Sequence, residues 1–433
     1  MNEARHQPSP PTKRWPWLGA LFALLAFAYS QAFAQAPGIA TSGNKFVTTS
    51  SGKLGYNHNV TAGETVVLRG VNISGQEYSC LDAVNTVWDS SSLPNGTGDY
   101  QQVAATGMVS DWHANVVRIP LNEDCWLNVP SNNPPLTGGS TYTSAIVNFV
   151  NTANANGLVA EVDLHVGAGP ELAVDSNPSC DTGSNPCGVD SFPAMDTNYS
   201  LEFWQSVATT FATNPAVIFN LTNEPEFPGD GSNGESESGD WTCYLNGGCN
   251  TSICAVNGCQ GPNGSGNTWN VEGVASVVTA IRNAEAAAHG VTHVIIIAGL
   301  NYSNQLNDWL TYVPKYVSDK QIAAGIHLYY DLVCTASSCW NSTWTPILKA
   351  GYPVVIDETG ELTKKNGGHG CTGTDTNSMV TWANGQSPQV GYWFWAFNKL
   401  SCANGPGLLS SDTTFLAQSG YGAAAQSALK AIQ

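Results

Sequence analysis

Two glutamates stand where apolar, β-branched runs end. Glu224 lies in Asn223-Glu224-Pro225 and Glu358 in Asp357-Glu358-Thr359-Gly360. Arg118, His165, His327, Tyr329 and Trp395 occupy the same kind of position on other runs. Paired carboxyl groups with aromatic platforms suit glycoside hydrolysis: one stays protonated to serve the leaving oxygen, and the other is ionised to attack or stabilise the anomeric carbon. Arginine and tyrosine beside a carboxylate favour its ionised form, whereas partial burial keeps the other carboxyl neutral. A tryptophan face can stack on the C–H face of a pyranose ring.

These side chains meet only if the runs that carry them are neighbours. Strand-like runs occupy 66–72, 115–121, 158–165, 216–223, 293–298, 322–329, 353–359 and 390–397. Helix-compatible stretches separate them at 100–113, 143–156, 199–213, 267–289, 303–311, 343–350 and 377–385, with a last one at 420–432. Near-continuous apolar strands are those of a parallel sheet buried on both faces. Eight strand–helix units predict a single-domain α/β (β/α)8 TIM barrel with long strand-end loops, whose carboxyl-terminal strand ends build one site. An open, doubly wound eight-stranded sheet is the alternative.

The motifs in order resemble glycoside hydrolase family 5, the cellulase family. They are Leu68-Arg69-Gly70-Val71-Asn72, Val117-Arg118-Ile119-Pro120, Asp163-Leu164-His165, Asn223-Glu224-Pro225, His327-Leu328-Tyr329, Asp357-Glu358-Thr359-Gly360, and Trp395 before Asn398-Lys399. The resemblance implies Glu224 as general acid/base and Glu358 as nucleophile. It implies that Asn223 binds the sugar 2-hydroxyl, that Arg118 and Tyr329 orient Glu358, that His165 and His327 position substrate or the acid/base, and that Trp395 floors the subsite. Two departures from the family pattern stand out. Val166-Gly167-Ala168-Gly169 follows His165 where an aromatic is common, and Thr359 follows Glu358 where an aromatic is usual.

Other residues compete for the same roles. Asn122-Glu123 is a second Asn-Glu pair, without the proline and with a cleft-lining role as its expectation. Regular alternation would turn Asp357 away from Glu358, and Glu361 lies beyond the run. Trp112, Trp204, Trp269 and Trp382 fall on helix-like stretches and read as core. Trp126, Trp241, Trp340 and Trp344 fall in loops after strands, where sugar stacking and core packing are equal readings. Gly-Asp-Gly-Ser-Asn-Gly at 229–234 matches a dinucleotide fingerprint only formally, since it follows a proline and opens no helix. The insertion at 226–267 reads as loop, and its acidic stretch lacks the ligand spacing of an EF-hand calcium loop.

Composition narrows the function classes. The 433 residues are 42% hydrophobic and 10% aromatic, which excludes a disordered chain. A formal charge of −18 repels phosphate backbones and anionic membranes, so nucleic acid is not an expected partner. Arg5, Lys13 and Arg14 precede an apolar run at 18–29 and then Ala32-Phe33-Ala34, the pattern of a signal peptide over 1–34. Its removal leaves 35–433 as the catalytic domain, with 12 basic and 32 acidic residues and a charge of −20. All 12 cysteines lie beyond that cut, and an even count in an exported chain reads as disulfides. Cys180–Cys187, Cys334–Cys339, Cys80–Cys125 and Cys371–Cys402 are the expected pairs, with Cys243, Cys249, Cys254 and Cys259 left open. Zinc fails on spacing, and neither a G-x-S-x-G elbow nor HExxH occurs. The expectation is a secreted (extracellular or periplasmic), cofactor-independent and monomeric retaining endo-β-1,4-glucanase that needs no metal and, once cleaved, meets no membrane. Its substrate is a polysaccharide, with β-1,4-mannan and β-1,3-glucan as alternatives. A non-catalytic glycan-binding barrel is the rival of a different class.

Overall fold

The computed structural model describes residues 35–77, 79–80, 100–129, 138–167, 194–225, 227, 237–252, 268–330, 332–363, 368–402 and 405–431. Eight parallel strands close into a barrel. They are β1 (Arg69–Asn72), β2 (Val116–Asn122), β3 (Val159–Val166), β4 (Val217–Asn220), β5 (Val294–Ala298), β6 (Ile322–Leu328), β7 (Val354–Thr359) and β8 (Gly391–Phe394). Each pairs with the next, and β8 returns to β1. Every residue of the eight strands is buried, which is why the runs are apolar on both faces.

Helices cross from each strand to the next: α1 (Tyr100–Ser110), α2 (Glu123–Leu127) and α3 (Ser140–Ala155), α4 (Ser200–Phe211), α5 (Glu237–Asn246) and α6 (Val274–Ala287), α7 (Trp309–Tyr316), α8 (Ser337–Lys349), α9 (Thr374–Asn384), and finally α10 (Tyr421–Lys430). Their apolar stripes face the barrel. On α4, Phe203, Trp204, Val207, Ala208 and Phe211 recur at helical spacing and are buried. The insertion at 226–267 departs from the loop reading. It contains α5 and one strand of a two-stranded ribbon, Asn250–Ser252 with Thr268–Asn270. Trp126, Trp241, Trp340 and Trp344 belong to α2, α5 and α8, and all four are buried, so core packing wins over stacking for each. Trp112, Trp204 and Trp382 are core as expected.

An element with no counterpart in the strand pattern closes the amino-terminal end of the barrel. Ile39–Ser42, Lys45–Thr48 and Thr65–Val66 form an antiparallel sheet. Ile39, Phe46 and Val66 pack with the inward residues Leu68, Val116, Val159, Ile296 and Trp393. The run read as one strand over 66–72 is therefore shared between this plug and β1.

Three expected disulfides are present, Cys80–Cys125, Cys334–Cys339 and Cys371–Cys402, and Cys243–Cys249 resolves part of the open set. Cys180, Cys187, Cys254, Cys259, the segment 1–34 and the glycine-rich stretch 229–234 lie outside the described residues. Among the described residues, no helix is long and apolar enough to cross a membrane.

Candidate active site

Arg118 organises the carboxyl-terminal mouth. It projects from β2 into the barrel and is wholly buried. Its Nη1 donates to Glu358 Oε2 at 2.6 Å and to Asn72 Oδ1 at 3.0 Å. Its Nη2 donates to Asp163 Oδ2 at 2.9 Å and to Asn223 Oδ1 at 2.8 Å, and its Nε lies 3.2 Å from Glu161 Oε1. Burial works against the guanidinium charge, but Asp163, Glu358, Glu161 and Asp357 together outweigh it and raise its pKa. Arg118 is therefore a fixed cation that holds strand ends from β1, β3, β4 and β7 in one geometry.

Glu358 receives a second donor, because Tyr329 Oη lies 2.7 Å from its Oε1. Burial and the charges of Glu358 and Glu224 hold the phenol pKa well above its ordinary value, so Tyr329 remains a proton donor. Glu224 sits in a different environment. His327 Nδ1 is 2.7 Å from Glu224 Oε1, and this ring is wholly buried. Burial, then the positive charges of Arg118 and His165, push its pKa well below the usual histidine value. One carboxyl thus faces a permanent cation and the other a neutral imidazole.

Glu224, Tyr329, Glu358 and Trp395 line a cavity of about 490 Å³ together with Tyr302, Leu332, Leu362 and Pro406. His165 lies against Trp395 instead of against either glutamate. Their rings stack at 5.4 Å and 13°, and His165 Nδ1 is 3.0 Å from Asp163 Oδ2. Burial opposes a charge on His165, but Asp163 and Glu77 prevail and raise its pKa. Tyr421 of α10 fixes the backbone nearby, with its Oη 2.6 Å from Trp395 O and 2.9 Å from Thr359 O.

All eight residues singled out in the sequence gather at this mouth, but not in the same way. Arg118 and His327 are sealed from solvent and reach the cavity only through the glutamates they hold. Asn223 is almost as buried, and its carbonyl oxygen is taken by Arg118. The rival glutamates have other duties. Asn122 caps α2 by accepting from Cys125 N at 3.0 Å, and Glu123 is wholly buried within that helix instead of lining the cleft. Glu361 accepts from Gly373 N at 2.7 Å and Thr376 N at 2.8 Å, which anchors the start of α9. Asp357 and Glu358 do not face opposite ways: Asp357 keeps the inward face of Val355, and the irregularity of β7 brings Glu358 inward as well. The register shifts between Ile356 and Thr359, and Asp357 points into the barrel interior below Glu358.

Some participants were missed. Asn72 ends β1, as the rule for strand ends would have found, and its Nδ2 also donates to Asp357 O at 3.2 Å. Glu77 had no such signal, since it follows β1 in an irregular segment. It is buried, accepts from Gly75 N at 2.7 Å, and burial pushes its pKa up to about 7 against the pull of His165.

The donor set also bears on metals. Atoms of Glu224, His327 and Glu358 lie within 4.8 Å of one another. However, the 2.7 Å between His327 Nδ1 and Glu224 Oε1 is a hydrogen-bond length, and a cation coordinated by both would need them further apart. The arrangement suits proton transfer better than metal ligation.

Comparison with known proteins agrees with this geometry. The model of the cellulase family, glycosyl hydrolase family 5, matches residues 71–400. A β-glucanase from Saccharophagus degradans is similar in structure, with 17% identity, a TM-score of 0.59, and coverage of 92% of this chain and 94% of that one. The catalytic domain of a Thermobifida fusca endoglucanase gives 13% identity, a TM-score of 0.53, and coverage of 91% and 97%. The catalytic domain of a mannanase from Streptomyces sp. SirexAA-E gives 16%, 0.52, and 90% of each chain. At these identities the likeness is one of fold. No curated protein sequence matches the chain.

Proposed function

Because the chain belongs to glycosyl hydrolase family 5, we propose that it is a secreted endo-β-1,4-glucanase that cleaves with retention of configuration. Glu358 is the nucleophile and Glu224 the acid/base. The observation that carries this reading is the asymmetry of the pair: the Arg118 guanidinium and the Tyr329 hydroxyl both donate to Glu358, whereas the ring 2.7 Å from Glu224 is His327, whose pKa burial holds well below the usual histidine value. Environments that differ in this way separate the ionised role from the protonated one. Carboxylate oxygens within 4.8 Å of each other also suit the short separation of a retaining enzyme, about 5–5.5 Å, better than an inverting one.

In the first step Glu358 attacks the anomeric carbon, the bond to the leaving sugar breaks, and Glu224 gives its proton to the departing oxygen. A glycosyl ester of Glu358 remains. In the second step Glu224 takes a proton from water, the water oxygen attacks the same carbon, and the ester bond breaks to release Glu358. Trp395, held by the His165 stack, supplies the apolar face under the sugar, and Asn223 meets the 2-hydroxyl.

The glucanase and endoglucanase names among similar structures favour glucan, while the mannanase keeps β-1,4-mannan as the competing substrate. Reducing-end release from carboxymethylcellulose, mannan and laminarin decides between them. Hydrolysis of none would end the enzyme reading. Glu358→Ala with azide should yield a glycosyl azide of inverted configuration, and a retained one would exchange the two roles. The four disulfides among the described residues support export after removal of residues 1–34. Amino-terminal sequencing of the exported protein tests that cut.

A further inference from the structure

Below the two glutamates of the mouth, the barrel interior holds acids that the reaction does not use. Glu161 of β3 and Asp357 of β7 are wholly buried. Asn220 of β4 bridges them, its Nδ2 donating to Glu161 Oε1 at 3.0 Å and to Asp357 Oδ2 at 2.7 Å. Asp357 Oδ1 accepts from Ile326 N at 2.7 Å. The space for this carboxyl comes from Gly325, where a Cβ would fall 2.7 Å from Asp357 Oδ2. The placement is built, not incidental.

Charge does not balance here. Glu161, Asp163 and Glu358 all contact Arg118 within 3.2 Å, and Asp357 is one bridging amide further away. Even with the His165 ring beside Asp163, four carboxylates against the Arg118 guanidinium would leave a net negative charge out of water, which is costly enough that a buried group takes up a proton instead. Hydrogen-bond accounting agrees. Glu161 Oε2 and Asn220 Oδ1 are buried acceptors without a donor among the described residues, and a carboxyl proton in this cluster is a donor that could serve one of them.

We propose that Glu161 and Asp357 share one proton beneath Arg118 and act as positioning residues, limiting the negative charge that competes with Glu358 for the guanidinium. Burial, then the charge of Asp357, raises the Glu161 pKa well above the ordinary value. Burial also pushes Asp357 up to about 7 against the pull of Arg118. The other titratable groups facing the pair are Asp163 on β3, Glu358 on β7, and Tyr244 on α5, whose phenol burial and Asp357 hold above its usual value. The inference rests on the role given above to Arg118 and Glu358.

Glu161→Gln in the full chain tests it, because the glutamine leaves one ionisable partner and so reproduces the charge of the proton-sharing pair. The acidic limb of kcat/KM against pH, measured on an aryl cellobioside, should stay within about 0.2 unit of the parent. If both acids are ionised in the parent, the substitution removes a charge at every pH, and the acidic limb moves down by about half a unit or more. That result overturns the proposal.

A second readout needs no substrate, so it separates failure of this inference from failure of the glycosidase reading. A folded-state pKa raised above the unfolded value gives stability that is present at low pH and lost as pH rises through the folded value. The melting temperature of the parent should therefore fall more steeply from pH 5 to pH 8 than that of Glu161→Gln. Parallel curves would count against the shared proton. Asp357→Asn carries both expectations if Glu161→Gln does not fold.

Discussion

Follow the inward face of the barrel from floor to mouth, and one step of two residues changes its character on strand after strand. Val116 gives way to Arg118 on β2, Val159 to Glu161 on β3, Ile218 to Asn220 on β4, and Val355 to Asp357 on β7. Below the step the layer is apolar and sealed by Phe46 and Ile39. Above it lie the Arg118 guanidinium and a ring of acids. The comparison shows how a charged cage survives inside a protein. The floor supplies burial of about 1.5–3 kcal/mol for each large apolar side chain, and that offsets part of the desolvation cost carried by the cage. Most of the cage's contacts run through Arg118 and the amides of Asn72, Asn220 and Asn223.

Breaking the cage should do the greatest damage. Arg118→Met removes the guanidinium that contacts Glu161, Asp163 and Glu358 and should lower kcat/KM by about a thousandfold or more. Loss of one partner of a buried ion network should also cost about 3–5 kcal/mol near pH 8. The deficit should shrink at pH 5 as the stranded carboxylates take up protons, and urea unfolding at both values measures it. A deficit independent of pH would mean that packing, not charge, is what Arg118 supplies.

Breaking the floor should cost stability alone. Phe46→Ala opens a cavity under Trp393 and should lose about 3 kcal/mol, while kcat/KM at 25 °C stays within about twofold and the pH profile does not move. A shifted profile would show that floor and mouth are not separable. Glu361→Ala removes the carboxylate that receives two amides at the start of α9 and should cost about 1–2 kcal/mol by thermal unfolding.

The smallest effect concerns a charge outside the cage. Burial, then the charge of Asp196, pushes Asp124 up to about 7. Its folded pKa lies above the unfolded one, so it lowers stability as pH rises toward 7 and above. Asp124→Asn should gain about 1 kcal/mol at pH 8 and little at pH 4, because most of that penalty disappears once the acid is protonated.

What was legible in the sequence follows the same division. The eight strands announced themselves because both faces are buried, and their bounds differ from the structure by no more than three residues. One of the three-residue overruns, at 221–223, is where the chain leaves β4 to carry Asn223 and Glu224 to the mouth. Strand-end reasoning found Glu224, Glu358 and the side chains that contact them for the same geometric reason. It failed where a local irregularity overrides periodicity. The register shift in β7 brings Glu358 onto the inward face that Asp357 already occupies, a side-chain bond converts Asn122 into a helix cap, and Glu77 occupies a segment with no period at all. The plug was missed because its strands are two to four residues long, too short for alternation to register.

That plug also sets where a tether can go. Ala36 N bonds to Asn154 O and Ile39 N to Pro215 O, which pins the first described residues under the barrel, on the face away from the cavity. An enzyme immobilised on a bead through a linker at Gln35 would hold its mouth outward. A bulky, insoluble polymer could then approach without meeting the support, whereas attachment through lysines would orient it at random.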